Sequence, residues 1–65
     1  MIFVEFLTDK DIGRRVAYMP NSGSTPCFGR IRSWNDLYVE VEYENGDVKF
    51  TRKNDLLFVP KNSNV

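Results

Sequence analysis

The sequence predicts an all-β domain made of five short strands. Apolar and charged residues alternate over several short stretches, most clearly at residues 39–50, and a period of two is typical of strands with one buried face. Turn-forming residues separate these stretches, and no stretch keeps the period of an amphipathic helix. Short strands at this spacing are typical of a small barrel or sandwich.

The elements are predicted from the positions of these stretches and turns. Residues 1–7 form an apolar segment that we expect to be extended, followed by a polar turn. Strands are predicted at residues 14–18, 28–34, 37–44, 47–51 and 56–59, with a long loop at residues 19–27 and a short helical turn at residues 52–55. The chain is therefore predicted to be one domain over residues 1–65, with its core at about 12–59 and a flexible tail at 60–65.

The register of the third and fourth strands is predicted from the pair Asn45-Gly46. These residue types suit a two-residue type I′ turn, in which both central positions have a positive φ. Such a turn pairs Glu42 with Lys49 and sets apolar residues opposite one another. A slip of one residue would set apolar residues opposite charged ones, so the pattern favours this register.

The connection between the second and third strands is predicted to be odd in length, Asn35-Asp36-Leu37, or bulged. Only this parity keeps apolar residues on one face of both strands. The same parity places Trp34 on the outer face. The cations of that face are then matched by carboxylates or polar groups in two rows: Arg30–Glu42–Lys49 and Arg32–Glu40–Thr51. A face whose charges cancel is a poor platform for phosphates, so we interpret this sheet as scaffold.

The composition argues against several classes of function. The chain has one cysteine, Cys27, and no histidine, so the common zinc sites and the Cys–His and Ser–His–Asp arrangements lack their parts. We therefore expect no catalytic residue, no metal and no cofactor. Nine basic residues balance nine acidic ones, which argues against strong nonspecific attraction to nucleic acid. A lone thiol suits a reducing compartment, so we expect a cytoplasmic protein.

The apolar segment at residues 1–7 has two interpretations. It is too short to span a bilayer, and Glu5 interrupts it, so no membrane association is expected. Within one domain it would cap an open end of the sheet or pair with the last strand. The other interpretation is a homo-oligomer joined through residues 2–7.

The first candidate site is a rim of aromatic residues at the ends of the second and third strands. Phe28, Trp34 and Tyr38, with the turn residues Asn35 and Asp36, would form a groove for a peptide or a cage for a cation. The alternative is that Trp34 covers the edge of the sheet while Phe28 and Tyr38 lie in the core, because a small domain needs its aromatic residues for burial.

The second candidate site is a basic cluster of Lys10, Arg14 and Arg15 at the start of the first strand. Arg52 and Lys53 form another basic pair. Either group would contact nucleic acid if an aromatic residue beside it stacked on a base. The alternative is that these side chains are simply solvated.

A known group of proteins shows a similar pattern. The order of strands and turns resembles SH3-like barrels, including Tudor-type modules. More closely, three motifs over about residues 12–59 resemble small proteins of tailed bacteriophages and prophages: G-x-x-V-x-Y-x-P from Gly13, G-x-I-x-S-x-N-D-x-Y-V-x-V from Gly29, and D-L at Asp55. The resemblance implies an SH3-like barrel of phage or prophage origin, and it implies no activity.

These observations favour a non-enzymatic binding module, an accessory protein that contacts a host or phage protein through the aromatic rim. The alternative is a weak nucleic-acid-binding module that uses the basic cluster.

Overall fold

Five strands form one antiparallel sheet, as the alternating sequence predicts. In the computed structural model, which describes residues 1–21 and 25–60, the strand order is β4-β3-β2-β1-β5. The strands are β1 (Arg15–Tyr18), β2 (Cys27–Trp34), β3 (Tyr38–Tyr43), β4 (Val48–Arg52) and β5 (Leu56–Phe58). The prediction of an all-β fold with five strands is confirmed. The sheet is not closed into a barrel, so β4 and β5 are its two edges.

Three short 3-10 turns complete the described chain, at Val4–Phe6, Asp9–Asp11 and Lys53–Asp55. The last one joins the two edge strands, where a short helical turn was predicted. The Asp9–Asp11 turn has a capping box in which Thr8 and Asp11 satisfy each other's backbone N–H groups. The middle of the predicted long loop, residues 22–24, and most of the predicted tail, residues 61–65, lie outside the described residues.

The core lies on one face of the sheet, which we call the core face. Strand β3 shows how the sequence builds it, since Val39 and Val41 are completely buried while Glu40 and Glu42 point away from them. The fully buried side chains from the strands are Val16, Ile31, Val39, Val41 and Leu56.

The N-terminal segment is part of this core. Ile2 and Val4 are buried in the same cluster as the strand residues, and the Ile2 N–H donates to the Lys53 carbonyl at 3.0 Å. The prediction that residues 1–7 are extended is wrong for Val4–Phe6, which forms a 3-10 turn. The turn buries Val4 and leaves Phe3 and Phe6 exposed, which continuous alternation in a strand would not do.

The predicted register of β3 and β4 is also wrong. Val41 is opposite Lys49, and Glu42 is opposite Val48, a shift of one residue. No described residue other than glycine has a positive φ, so Asn45 cannot occupy a type I′ turn. Instead the Gly46 N–H donates to the Tyr43 carbonyl. Within this turn only Gly46 has a positive φ, of 95°. This is a three-residue loop, a type I turn followed by a left-handed glycine.

Strands β2 and β3 begin in the predicted register and then depart from it. Arg30 is opposite Glu42 as expected, but Ser33, not Arg32, is opposite Glu40. The extra residue is a β-bulge at Arg32, and the connection itself is tight, with the Asn35 N–H donating to the Tyr38 carbonyl. The bulge reverses the facing of the residues that follow it. Trp34 is therefore turned inwards and packs against the core, and its predicted place on the outer face is wrong.

The charges of the outer face consequently pair differently from the prediction. Arg32 contacts Glu42 at 2.8 Å, and Ser33 donates to Glu40 at 2.8 Å. Thr51, predicted to be on the outer face, is buried. The predicted pairing of Glu42 with Lys49 is absent among the described ion pairs, because Lys49 lies beside Asp47 instead.

Candidate binding surfaces

A cleft of about 750 Å³ lies along the free edge of β4. It is lined by residues of β4 and β3, of the end of β1 and of the start of β2. Aromatic side chains form much of the lining: Tyr18, Phe28, Tyr38, Tyr43 and Phe50. Consecutive residues of β4, from Lys49 to Arg52, form one wall, and Pro26, Cys27 and Asp55 lie among the lining residues with the turn residues Glu44, Asn45 and Asp47. We call it the edge cleft.

Two tyrosines form a fixed part of this cleft. The rings of Tyr18 and Tyr43 meet edge to face at 6.3 Å between centroids, and the Tyr43 hydroxyl shares a hydrogen bond of 2.6 Å with Thr51 Oγ1. Burial raises the pKa of Tyr43 above its ordinary value of 10.0, and the bond to Thr51 partly opposes this shift. Tyr43 therefore keeps its phenolic proton to a higher pH than an exposed tyrosine does.

The predicted aromatic rim is divided between two clefts. Phe28 and Tyr38 line the edge cleft, Phe28 half-buried and Tyr38 37% exposed. Trp34, Asn35 and Asp36 instead line a separate cleft of about 470 Å³ with Val4, Glu5 and Lys53. The division follows from the β-bulge, which turns Trp34 away from the other two aromatic residues.

Asn35 has a structural role in its turn. Its Oδ1 atom accepts hydrogen bonds from the backbone N–H groups of Leu37 and Tyr38, at 2.9 and 2.8 Å. This local arrangement closes the connection between β2 and β3. Because both hydrogen bonds use the Asn35 Oδ1 atom, this oxygen stabilises the turn.

The predicted basic residues do come together. Lys10, Arg14 and Arg15 line a cleft of about 410 Å³, and Arg30 joins them from the adjacent strand. The remaining lining residues are Ile12, Gly13, Val59 and Pro60, so among residues 1–21 and 25–60 no carboxylate lines this basic cleft. Arg15 and Arg30 are directly opposite each other in the β1–β2 register.

The two predicted arginines are already engaged within the fold. Arg14 contacts Asp11 at 3.3 Å, and its guanidinium lies 3.7 Å from the centre of the Phe58 ring. Arg15 contacts Glu44 at 3.1 Å, and its guanidinium lies 4.8 Å from the centre of the Phe28 ring. One face of the Phe58 ring and one face of the Phe28 ring are thus each covered by an arginine.

Several residues of these surfaces were not predicted. Phe50 joins the edge cleft because the actual β3–β4 register turns it to the outer face, whereas Tyr18 and Tyr43 pack against the core and line the cleft from that side. Arg30 was assigned to a charge-matched row, but its Nη1 atom donates to the Gly13 carbonyl at 2.9 Å. The antiparallel pairing of β1 with β2 is the signal that would have placed Arg30 beside Arg15.

The described residues form neither a cluster of metal-ligating side chains nor a membrane-spanning helix. Among residues 1–21 and 25–60, no three His, Cys, Asp or Glu side chains come together where they could hold a metal ion. In the part of the chain that the structure describes, no helix is long and apolar enough to cross a membrane.

No protein-family model, curated protein or solved structure matches this chain. Support for a function therefore comes from the geometry of the surfaces themselves.

Proposed function

We propose that this protein is a non-enzymatic module that binds another protein through the edge cleft. The observation that carries the proposal is the exposure of a cleft rich in aromatic residues beside an unpaired sheet edge. Clefts that bind ligands are lined by apolar and aromatic groups with a few polar groups among them. Phe28 and Tyr38 belong to the edge cleft, whereas Trp34 contributes to the core and not to this surface.

We further propose that the fold is of the SH3-like class and that the protein acts in the cytoplasm as a phage or prophage accessory protein. The strand order and the single 3-10 turn between β4 and β5 support the SH3-like assignment. The motifs from Gly13 and Gly29 support the phage assignment, and the lone exposed Cys27 thiol suits a reducing compartment.

Co-purification with two matched variants tests the proposed cleft. Tagged wild-type protein, Tyr38→Ala and Leu57→Ala are expressed in the native host, and the proteins retained by each are identified. Leu57 is an exposed apolar residue of β5 that does not line the edge cleft. A direct partner should be retained by Leu57→Ala and lost by Tyr38→Ala, since truncating an aromatic contact commonly costs 2 kcal/mol or more, about thirtyfold in affinity. Partners that Tyr38→Ala retains as well as the wild type would overturn the proposal.

The basic cleft favours a second candidate, weak binding of nucleic acid. Lys10 and Arg30 have no carboxylate within ion-pair distance among the described residues, and both line a cleft without acidic groups. Arg14 and Arg15 are compensated by Asp11 and Glu44, so they contribute less to a phosphate site than their charge alone indicates.

Salt dependence distinguishes this second candidate from the first. Binding of fluorescein-labelled oligothymidine and of a short DNA duplex is measured at several salt concentrations. Nucleic-acid binding through the basic cleft should weaken steeply with salt, and Arg30→Ala should lower the slope by about 1. A slope that is unchanged in Arg30→Ala and Lys10→Ala would exclude this cleft as the phosphate contact.

A further inference from the structure

We propose that the partner segment binds as an added strand on the free edge of β4, and that it carries apolar residues opposite the apolar residues of β4 and acidic residues opposite its basic ones. The inference rests on the proposed function, because it names how the edge cleft holds its partner. Binding of this kind uses main-chain hydrogen bonds for affinity and alternate side chains for specificity.

The backbone of β4 presents the required hydrogen-bonding groups. The Tyr43 N–H donates to the Asp47 carbonyl, and the Lys53 N–H donates to the Leu37 carbonyl, so odd-numbered residues from 47 to 53 face β3. The main-chain groups of Val48, Phe50 and Arg52 therefore point away from the sheet. No partner for these groups is found among residues 1–21 and 25–60.

The edge cleft follows this edge and not one face of the sheet. Lys49 and Thr51 share the core face with Val41 and Val39, whereas Phe50 and Arg52 share the other face with Glu40 and Tyr38. All four of these consecutive β4 residues line the same cleft. A strand added to β4 would contact both sets of side chains, whereas a ligand on one face would contact only one set.

Apolar side chains on this edge are exposed to solvent. Val48 is 46% exposed and Phe50 is 58% exposed, and both lie on the same side of the strand. Proteins usually protect a free edge with charge, proline or a covering segment. Apolar residues of an added strand opposite Val48 and Phe50 would bury this surface.

The charges on the edge select an acidic segment. Lys49, Arg52 and Lys53 lie within or next to β4, and of these only Lys49 has a carboxylate nearby in the described chain, Asp47 at 3.9 Å. That long, exposed contact is weak. Acidic residues opposite Lys49 and Arg52 would supply the missing partners.

The carboxylates of the cleft do not cancel this preference. Glu44 is engaged by Arg15 at 3.1 Å, and Asp47 lies in the loop before β4, so the strand itself carries Lys49 and Arg52 and no carboxylate. Asp55 lies in the 3-10 turn and not on the edge of β4. The edge itself therefore presents positive charge to an incoming strand.

A designed peptide tests both the hydrogen bonding and the charge. The probe is fluorescein-labelled Gly-Glu-Thr-Val-Glu-Val-Thr-Gly, whose antiparallel pairing sets its valines opposite Phe50 and Val48 and its glutamates opposite Arg52 and Lys49. N-methylation of the two valine amides removes the hydrogen bonds to β4 and should weaken binding at least about tenfold. N-methylation of the third and fifth residues, whose amides point away, is the matched control and should change binding much less. Replacing both glutamates by lysines should weaken binding.

Variants of the protein provide the reciprocal test. Val48→Pro removes an edge N–H that the β3–β4 ladder does not use, and Val48→Ala removes the side chain but keeps that N–H. Binding should be lost in Val48→Pro and largely retained in Val48→Ala. The double variant Lys49→Glu with Arg52→Glu should reverse the preference and favour the lysine peptide. Urea unfolding of each variant shows that loss of binding is not loss of the fold.

The outcomes separate this inference from the proposed function. If Tyr38→Ala abolishes partner binding while Val48→Pro and the N-methylated valines have no effect, the cleft binds its partner without strand addition, and this inference is overturned alone. If the peptide fails to bind and Val48→Pro instead abolishes a concentration-dependent dimer, the edge pairs with a second copy, and the proposed occupant is wrong. Failure of the acidic peptide to bind at all would also overturn it. Partners that do not depend on Tyr38 would overturn the proposed function itself.

Discussion

Gly29 shows how one residue allows β2 and β3 to pack at the observed distance. A Cβ atom added there would lie 2.6 Å from Val41 Cγ1 and 2.7 Å from the Glu42 carbonyl oxygen. Both distances are shorter than van der Waals contact, and one of the atoms belongs to backbone that is fixed by the sheet. The glycine is therefore required by the close approach of two strands that carry the core and the edge cleft.

We expect Gly29→Ala to lower the free energy of unfolding by about 1–3 kcal/mol, the usual cost of overpacking a core. Urea unfolding followed by tryptophan fluorescence measures the change. Thr25→Ala, at an exposed position near the same strand, serves as the control and should unfold as the wild type does. An equal midpoint for Gly29→Ala and the wild type would contradict this account of the β2–β3 contact.

The raised pKa of Tyr43 predicts that the free energy of unfolding depends on pH. Its pKa is raised in the folded protein because burial disfavours the phenolate, whereas in the unfolded chain it ionises near 10.0. The neutral tyrosine therefore contributes full stability below pH 10, and this contribution is lost as the pH rises through the folded pKa. Unfolding in urea at pH 8 to 11 should show wild-type stability falling more steeply above pH 10 than that of Tyr43→Phe, which cannot ionise. Parallel curves for the two proteins would contradict the assignment to Tyr43.

At the scale of elements, two turns decide which residues share a face. The loop from Tyr43 to Asp47 contains a left-handed Gly46, and the bulge at Arg32 adds one residue to β2. Each moves the following residues by one position relative to the pattern expected from simple alternation. Together they place Trp34 against the core and bring Lys49 to the core face of the edge strand.

The turn geometry is tested by substitutions at Gly46. Its φ of 95° is costly for residues with a Cβ atom, so Gly46→Ala should destabilise the protein by about 1–2 kcal/mol. Gly46→Asn should cost less, because asparagine tolerates the left-handed region better. Asn45→Gly distinguishes the two turns: in the observed turn it removes the Asn45 Oδ1 contact with the Asp47 N–H at 2.9 Å and should destabilise. A gain in stability from Asn45→Gly would favour a type I′ turn instead.

At the scale of the whole molecule, the N-terminal segment completes the core of an open sheet. A domain of this size has little apolar surface to bury, so each buried side chain matters more than in a larger protein. Ile2 is 1% exposed, whereas Phe3 and Phe6 are 55% and 76% exposed and contact each other edge to face. One face of the segment stabilises the fold, and the other is exposed.

This division predicts different effects for neighbouring substitutions. Ile2→Ala should lower the free energy of unfolding by about 2–5 kcal/mol, as expected for a buried large-to-small change. Phe6→Ala should change it by less than about 0.5 kcal/mol, because the ring is largely solvated. Urea unfolding of both variants measures the difference, and similar losses in both would show that the exposed ring also supports the core.

The exposed Phe3 and Phe6 rings are the groups that would join two copies if the protein forms a homo-oligomer through residues 2–7. Sedimentation of the wild type over a range of concentrations should show self-association that Phe3→Ala and Phe6→Ala weaken, if this face joins two copies. A monomer at every concentration would retire that proposal, with no consequence for the edge cleft.

The sequence by itself determined the all-β class, the number and order of the strands, and the buried set on β3. These depend on local alternation and on turn residues, and both can be read without knowing the partner strand. It also identified Lys10, Arg14 and Arg15 as one cluster, because they lie close together in the chain. The sequence also predicted that Phe28 and Tyr38 lie at one surface, and both line the edge cleft. The same prediction included Trp34, which lines a different cleft.

Only the tertiary structure decided the β3–β4 register, the facing of Trp34 and the burial of Ile2. A type I turn with a left-handed glycine and a type I′ turn can both use Asn45-Gly46, and the choice depends on which register packs best against the rest of the core. Alternation predicted an odd or bulged connection between β2 and β3, but it could not place the extra residue at Arg32, inside β2. The open edge of β4 is likewise a property of the assembled sheet, since it depends on β4 and β5 not pairing with each other.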